Sequence, residues 1–278
     1  MKGYDKKNCF ELLFLLLQAT LYVTFLFLDL TDGSIGLSVC IKYIIIILCF
    51  CYALLCGSAY KSIFYYEDNA QKSVIGLSLR KKLGKHPYAD IRFLQMGLFF
   101  TLISDLFILI LDYYLYGVLV FILVQQLYSF RLILLHYGKR DQSERITMYV
   151  KRIMIQVGLA AMTYLALYFA GVNLDSLLIT SVFYFISILF NTIAAVQLAI
   201  KNHRLKSDLL YAAGMLLFLL CDINVGLFNL TGFINLPEEI YSVIYSYSSI
   251  LMWTFYAPSQ VLVALSVSYI VKQKEALK

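Results

Sequence analysis

Residues 93–111 read FLQMGLFFTLISDLFILIL, an apolar run with one acidic residue, Asp105, in its second half. A helix that crosses the hydrocarbon core of a membrane needs about 20 mostly apolar residues, and this run supplies them. A charged aspartate near the bilayer centre costs about 2.5–3.5 kcal/mol on insertion scales. The run therefore predicts a membrane span that carries a functional acidic side chain.

The composition of the whole chain points to the same environment. Hydrophobic residues make up 61% of the 278 residues, charged residues make up 14%, and the mean hydropathy is +0.78. Soluble domains carry roughly 45–50% apolar and about 25% charged residues. The net charge of +6 does not indicate nucleic-acid binding, because the basic residues lie mostly between apolar runs. We therefore expect an all-α integral membrane protein.

Seven further apolar runs are long enough to cross a membrane, which predicts eight transmembrane helices in one polytopic domain, residues 1–278. The first run follows three lysines but lacks a small-residue cleavage site, so we interpret it as an uncleaved first helix. The start of the last run is expected to lie in the interface or to enter at a tilt. The predicted spans are residues 10–28, 39–60, 93–111, 113–136, 153–172, 174–200, 209–230 and 241–271.

Lysine and arginine are concentrated in alternate connections. They precede span one, follow spans two, four, six and eight, and are rare in the other connections, where Lys42 is the basic exception. Because cytoplasmic loops carry an excess of lysine and arginine, both termini are predicted to be cytoplasmic. Arg131, near the cytoplasmic end of span four, is expected to snorkel to the lipid head groups.

The longest connection, residues 61–92, holds seven basic residues and is predicted to be a cytoplasmic loop. Two interpretations of this basic loop stay open. It could be a flexible segment attracted to anionic head groups, or a docking site for a protein partner.

Spans three and seven share a sequence pattern. Residues 97–105, GLFFTLISD, parallel residues 214–222, GMLLFLLCD, and each segment has a glycine eight residues before an aspartate with a small residue just before it. The two spans run in the same direction and lie four spans apart. This match predicts two four-helix halves in parallel orientation, with span three beside span seven.

Asp105 and Asp222 are the acidic residues that lie well inside predicted spans, at matched depth. Two carboxyl groups that share a site of low dielectric cannot both ionise easily, which leaves a protonated acid beside a carboxylate. That pair suits proton donation next to a group that stabilises positive charge. The alternative is that each aspartate only makes a helix-to-helix hydrogen bond. We predict that both side chains face one cavity.

Other polar side chains inside the spans could line that cavity, although each alone is more often an interhelical hydrogen-bond partner. The sequence contains no GxSxG, P-loop, HExxH or Rossmann fingerprint, and no cysteine and histidine cluster with zinc spacing. Neither a metal nor a cofactor is expected. The candidate lining residues are Ser104, Gln125, Gln126, Tyr128, Asn191, Asn224, Ser259 and Gln260.

Four motifs in chain order carry a family resemblance. Two are the glycine–aspartate segments, and a third is the ending YAPSQVLVALS, residues 256–266, which is similar to a Y-x-x-x-Q-x-L-[IV]-A-L-S pattern. The fourth follows the spacing G-xxx-F-xxx-H-xx-Y through Gly117, Phe121, Gln125 and Tyr128. Together they resemble the YhhN-type membrane proteins, the lysoplasmalogenase family. Gln125 replaces the motif histidine, so proton transfer by that histidine is lost here.

The resemblance implies hydrolysis of the vinyl ether of lysoplasmalogens or related ether lysophospholipids, with Asp105 and Asp222 as the catalytic pair. A protonated aspartate can give a proton to the vinyl carbon, and a nearby carboxylate can stabilise the resulting cation. The implied partners are the lysophospholipid or ether-lipid substrate and membrane lipid, without nucleic acid. The residues expected to bind the substrate are Ser104, Gln125, Tyr128, Asn224, Tyr256 and Gln260.

Two other classes of function stay open. One is a non-enzymatic lipid-binding or transport protein of the same fold, which the replacement at Gln125 favours. The other is a membrane sensor or scaffold that recruits a partner through the basic loop. Only the enzyme predicts turnover, and only the scaffold predicts that the aspartates are dispensable. In each case the expected location is the cell membrane, as a multi-pass protein.

Overall fold

The structure, a computed structural model, describes residues 2–31, 33–70, 87–137, 140–172, 174–232 and 237–276. These residues form eight helices that are each long and apolar enough to cross a membrane, which confirms the all-α fold with eight spans. The helices are α1 (Lys2–Leu30), α2 (Ile35–Ala70), α3 (Pro87–Asp105), α4 (Tyr114–Tyr137), α5 (Gln142–Phe169), α6 (Ser176–Lys201), α7 (Lys206–Phe228) and α8 (Glu238–Ala276).

The connection between α2 and α3 is shorter than the predicted basic loop of residues 61–92. Helix α2 continues to Ala70, and α3 begins at Pro87, a residue whose fixed φ suits the first turn of a helix. Residues 61–70 and 87–92 of the predicted connection are therefore helical, as extensions of α2 and α3. The remaining residues, 71–86, which include the basic cluster from Arg80 to Lys82, lie outside the described residues.

The long last helix passes through a proline. Pro258 has no N–H to donate to the carbonyl four residues earlier, at Thr254. That carbonyl oxygen instead accepts a hydrogen bond of 3.3 Å from the Tyr22 hydroxyl of α1. A freed backbone group inside a membrane must find such a partner, and the contact holds α1 against α8.

Six of the helices form a closed ring. Helix α2 packs on α3, α3 on α4, α4 on α6, α6 on α7, α7 on α8, and α8 on α2 again. Helix α1 packs against α2 and α8, and α5 packs against α4 and α6, so both lie outside the ring. If each helix is replaced by the one four places further along the chain, with the count returning to α1 after α8, every ring contact becomes another ring contact. The contact of α2 with α3, for example, becomes that of α6 with α7. This is the arrangement expected of two four-helix halves in parallel orientation.

The glycines of the repeated segments face the next helix of their own half. A Cβ atom on Gly97 would overlap the Tyr128 ring of α4. A Cβ atom on Gly214 would lie 3.0 Å from both the Ser259 carbonyl oxygen and a methyl group of Val263 on α8. Each glycine therefore lets two helices approach closely, α3 with α4 and α7 with α8.

The prediction that span three lies beside span seven is wrong. Among the described residues, α3 packs mainly on α2, α4 and α8, while α7 packs mainly on α6 and α8. Helix α8 contacts both of them. The glycines explain why α3 and α7 do not pack on each other. The close helix contacts that Gly97 and Gly214 allow are made with α4 and α8 instead.

The prediction that Arg131 snorkels to the lipid head groups is also wrong. Its side chain is 0% exposed, its Nε donates to Asp90 Oδ1 at 2.6 Å, and its guanidinium lies 4.2 Å from the centre of the Tyr211 ring. Because Asp90 supplies a counter-charge from the first turn of α3, the guanidinium is held inside the protein. Lys42 is likewise paired, with Asp29 at 2.8 Å.

The predicted orientation can be tested by labelling with a membrane-impermeant thiol reagent in intact cells. We expect Gln142→Cys at the start of α5 to be protected and Ser176→Cys at the start of α6 to react, because the basic connections should be cytoplasmic. The background must lack reactive native cysteines, of which Cys9, Cys40 and Cys51 are exposed. Labelling of position 142 but not 176 would invert the topology.

Candidate functional site

Asp105 lies at an irregular point of its span. It ends the α-helical part of α3, and residues Leu106–Ile110 continue as a π-helical turn. Single π-helical turns are rare and are frequent at functional sites. Asp105 is buried, and its Oδ2 accepts a hydrogen bond of 2.7 Å from the Tyr256 hydroxyl of α8.

Asp222 has a matching partner on a different helix. This aspartate is partly buried on α7, and its Oδ2 accepts a hydrogen bond of 2.7 Å from the Tyr184 hydroxyl of α6. Tyr184 is itself buried. Each carboxyl group is thus held by one phenol from a neighbouring helix of the ring.

The two aspartate–tyrosine pairs meet around one aromatic side chain. The Phe121 ring of α4 lies 5.7 Å from the Tyr184 ring and 6.5 Å from the Tyr256 ring, measured between centroids. Both carboxyl groups lie within electrostatic range of Tyr184 and of Cys221. The ring interior therefore brings Asp105 and Asp222 into one region, although their helices do not pack on each other.

Two of the candidate lining residues are engaged by backbone carbonyl groups. The Ser104 hydroxyl is buried and donates to the Gly117 carbonyl at 2.6 Å, which joins α3 to α4. The Asn224 amide donates to the Leu220 carbonyl of its own helix at 2.8 Å. These contacts are structural.

Three other lining residues keep polar atoms without a hydrogen-bond partner among the described residues. They are Gln125 through Nε2, Tyr128 through its hydroxyl and Gln260 through Oε1, and Thr101 Oγ1 joins them. Such buried groups cost about 1–3 kcal/mol each unless water or a ligand binds them. They are therefore available to water or substrate.

The position of these groups relative to the aspartates follows from helical spacing. Thr101 is four residues before Asp105 on α3, and Gln260 is four residues after Tyr256 on α8. Gln125 is four residues after Phe121 on α4. Each of these groups therefore lies about one helical turn from the depth of the aspartates. All three are displaced toward the same side of the membrane, where α3 begins and where α4 and α8 end.

Sequence reasoning missed Tyr184 and did not connect Gln125 with its true partner. The Asn191 amide donates to the backbone carbonyl and to Oε1 of Gln125, at 2.7 and 2.8 Å. The available signal was a polar stripe on span six, because Tyr184, Ser187 and Asn191 recur at helical spacing and are all buried. Neither Gln126 nor Ser259 bonds to an aspartate; they bond to Ser187 and to the Tyr256 carbonyl.

Two cavities lie beside α5, and neither is lined by Asp105 or Asp222. One, of about 250 Å³, lies between α4, α5 and α6, and the other, of about 380 Å³, lies between α5 and α6. Each aspartate instead contacts the hydroxyl of a tyrosine, Tyr256 for Asp105 and Tyr184 for Asp222.

These features define a class: a multi-pass, all-helical membrane protein with two tyrosine-held aspartates inside a six-helix ring. Residues 73–267 match the YhhN family, and the chain belongs to this family. The matched range includes both aspartates and both tyrosines, and the family predicted from the four motifs is confirmed. No curated protein and no solved structure matches the chain.

Proposed function

We propose that this protein hydrolyses the vinyl ether bond of lysoplasmalogens or related ether lysophospholipids inside the cell membrane, with Asp105 and Asp222 as a general acid/base pair. Membership of the YhhN family supports a lysoplasmalogenase-like activity. The observation that carries the proposal is the pair of carboxyl groups, each bonded at 2.7 Å to a tyrosine whose ring lies near Phe121. A carboxylic acid that gives a proton, beside a carboxylate that stabilises positive charge, is what the reaction needs.

The reaction can be balanced with these two residues and one water molecule. One carboxylic acid gives its proton to the vinyl carbon that does not bear oxygen, which leaves an oxocarbenium ion on the neighbouring carbon. The other carboxylate stabilises this cation, as a fixed charge in a site of low dielectric. Water then adds to the cation and returns a proton to the carboxylate that acted as the acid. The resulting hemiacetal breaks down to a fatty aldehyde and a glycerophospho alcohol.

The surrounding residues have supporting roles in this proposal. Tyr184 and Tyr256 orient the carboxyl groups through short hydrogen bonds. The free polar atoms of Thr101, Gln125 and Gln260 can bind the attacking water and the glycerol hydroxyl. The alkenyl chain would lie among the ring's apolar side chains, since a lipid substrate enters sideways between helices.

The test is incubation of purified full-length protein in detergent with a lysoplasmalogen, followed by an aldehyde assay. We expect aldehyde release from the vinyl ether lipid. A matched lysophospholipid with a saturated ether should release none, because it has no double bond to protonate. Tight binding of the vinyl ether lipid without aldehyde would replace this proposal with the lipid-binding alternative.

A further inference from the structure

A second region with unused binding capacity lies where α5 packs on the ring. The guanidinium of Arg152 lines the cavity of about 250 Å³ between α4, α5 and α6. Its Nη2 donates to Asn191 Oδ1 at 2.8 Å, while its Nε is buried without a partner among the described residues. Among the described residues, no carboxylate forms an ion pair with Arg152. The ion pairs found there involve Lys42, Arg131, Arg140 and Lys272.

The charge of Arg152 is fixed in place by a chain of hydrogen bonds. Asn191 Oδ1 accepts a hydrogen bond from the guanidinium, and Asn191 Nδ2 donates to Gln125. The Asn191 amide is therefore fixed with its oxygen toward Arg152. Arg152 is partly buried and lies just before predicted span five, so its unpartnered Nε–H can attract an anionic head group. Arg131, which is fully buried on α4, is paired with Asp90, but no carboxylate of the described residues pairs with Arg152.

The rest of the cavity is amphipathic. His136 and Gln197 lie at its wall, and His136 Nε2 donates to the Ala194 carbonyl at 3.1 Å. The remaining lining is mainly apolar and comes from α4 and α6: Leu132, Ile133, Phe190, Ile193 and Ala194. A charged corner beside an apolar wall matches a phospholipid, whose phosphate is joined to glycerol and acyl carbons.

This cavity is separate from the aspartate site. Asn191, which holds Arg152, is seven residues along α6 from Tyr184, which holds Asp222, and this spacing corresponds to about 10 Å. The cavity also borders α5, outside the six-helix ring.

We propose that this cavity binds an anionic phospholipid, with the phosphate on Arg152 and the glycerol and first acyl carbons against the apolar wall. Basic pockets between transmembrane helices on the predicted cytoplasmic side are known sites for such head groups. The bound lipid would hold α5 against the six-helix ring. Helix α5 makes few other buried contacts, because Gln156 is the one residue of α5 that is buried among the described residues.

The experiment compares lipid binding to full-length variants in neutral detergent, by native mass spectrometry with added phosphatidylglycerol. Arg152→Gln should weaken binding about 10-fold, a loss of one charge-assisted contact of about 1.4 kcal/mol. Lys151→Gln is the matched control, because it removes the same charge from the adjacent exposed position and should stay within about twofold of the wild type. Ala194→Phe fills the cavity without changing charge and should also lower affinity about 10-fold.

Other outcomes would overturn the proposal. Equal losses in Arg152→Gln and Lys151→Gln would mean general surface attraction, and full affinity in Ala194→Phe would place the lipid elsewhere. Displacement of the lipid by millimolar inorganic phosphate would show a site for free anions. If Arg152→Gln does not fold, Arg152→Lys, which keeps the charge, and Ala194→Phe decide the question, with size-exclusion profiles as the folding check.

Discussion

Asp105→Asn and Asp222→Asn should each lower vinyl ether hydrolysis by about 10²- to 10⁴-fold, the usual contribution of general acid–base catalysis. Asparagine keeps the size of the side chain, and its amide oxygen can still accept the 2.7 Å hydrogen bonds from Tyr256 and Tyr184. It can neither exchange the proton nor supply the negative charge that stabilises the cation. The measurement is kcat and kcat/KM for aldehyde release, in which loss of a proton-transfer step appears mainly in kcat.

The matched control is Asp112→Asn. Asp112 is exposed, seven residues beyond Asp105, and has a φ of 61°, which asparagine adopts as readily as aspartate. This variant makes the same charge change outside the ring and should keep wild-type turnover. If both ring variants also keep it while eluting as folded protein, the catalytic assignment of the aspartates fails.

Hydropathy was enough to predict the eight spans, because every backbone group in hydrocarbon must be satisfied within a helix and the side chains must be apolar. The glycine–aspartate spacing went further. It predicted a repeat, and the ring contacts follow that repeat under a shift of four helices. Both predictions rest on constraints that act along one helix, so they are visible in one stretch of sequence.

Predictions that needed the angular position of a side chain were less successful. The matched aspartates suggested that α3 contacts α7, but Gly97 and Gly214 direct the close contacts to α4 and α8. Arg131 had the spacing of a snorkelling residue, yet its partner Asp90 is 41 residues away in sequence. The sequence of an apolar span predicts the depth of a residue in the membrane well. It predicts the neighbouring helix poorly, because almost any face of an apolar helix can be buried.

The correspondence between the two halves also explains why the tyrosine partners of the aspartates lie on helices that do not correspond, α8 for Asp105 and α6 for Asp222. Phe121, Gln125 and Tyr128 on α4 have the same spacing as Tyr256, Gln260 and Val263 on α8, and Tyr128 and Val263 each contact the glycine of their own half. By this correspondence Phe121 occupies the position of Tyr256. Because phenylalanine has no hydroxyl, Asp222 takes its hydrogen bond from Tyr184 on α6 instead.

Asp90→Asn should destabilise the folded protein by about 3 kcal/mol, because it leaves the charge of Arg131 buried without its ion-pair partner. Removing one partner of a buried pair costs about 3–5 kcal/mol. We expect the lower end of that range, since Asp208 lies within electrostatic range of the same guanidinium. The measurement is unfolding of purified protein in micelles with a rising fraction of dodecyl sulfate.

The control is Glu144→Gln, which breaks the exposed pair between Arg140, just before α5, and Glu144 in the first turn of α5. An exposed ion pair contributes about 0–1 kcal/mol, so the free energy of unfolding should hardly change. The double variant Asp90→Leu with Arg131→Met should recover most of the lost stability, because apolar side chains of similar volume replace a buried pair at little cost. If Asp90→Asn were no more harmful than Glu144→Gln, the Arg131 charge would be solvated in the membrane-bound protein and not held by Asp90.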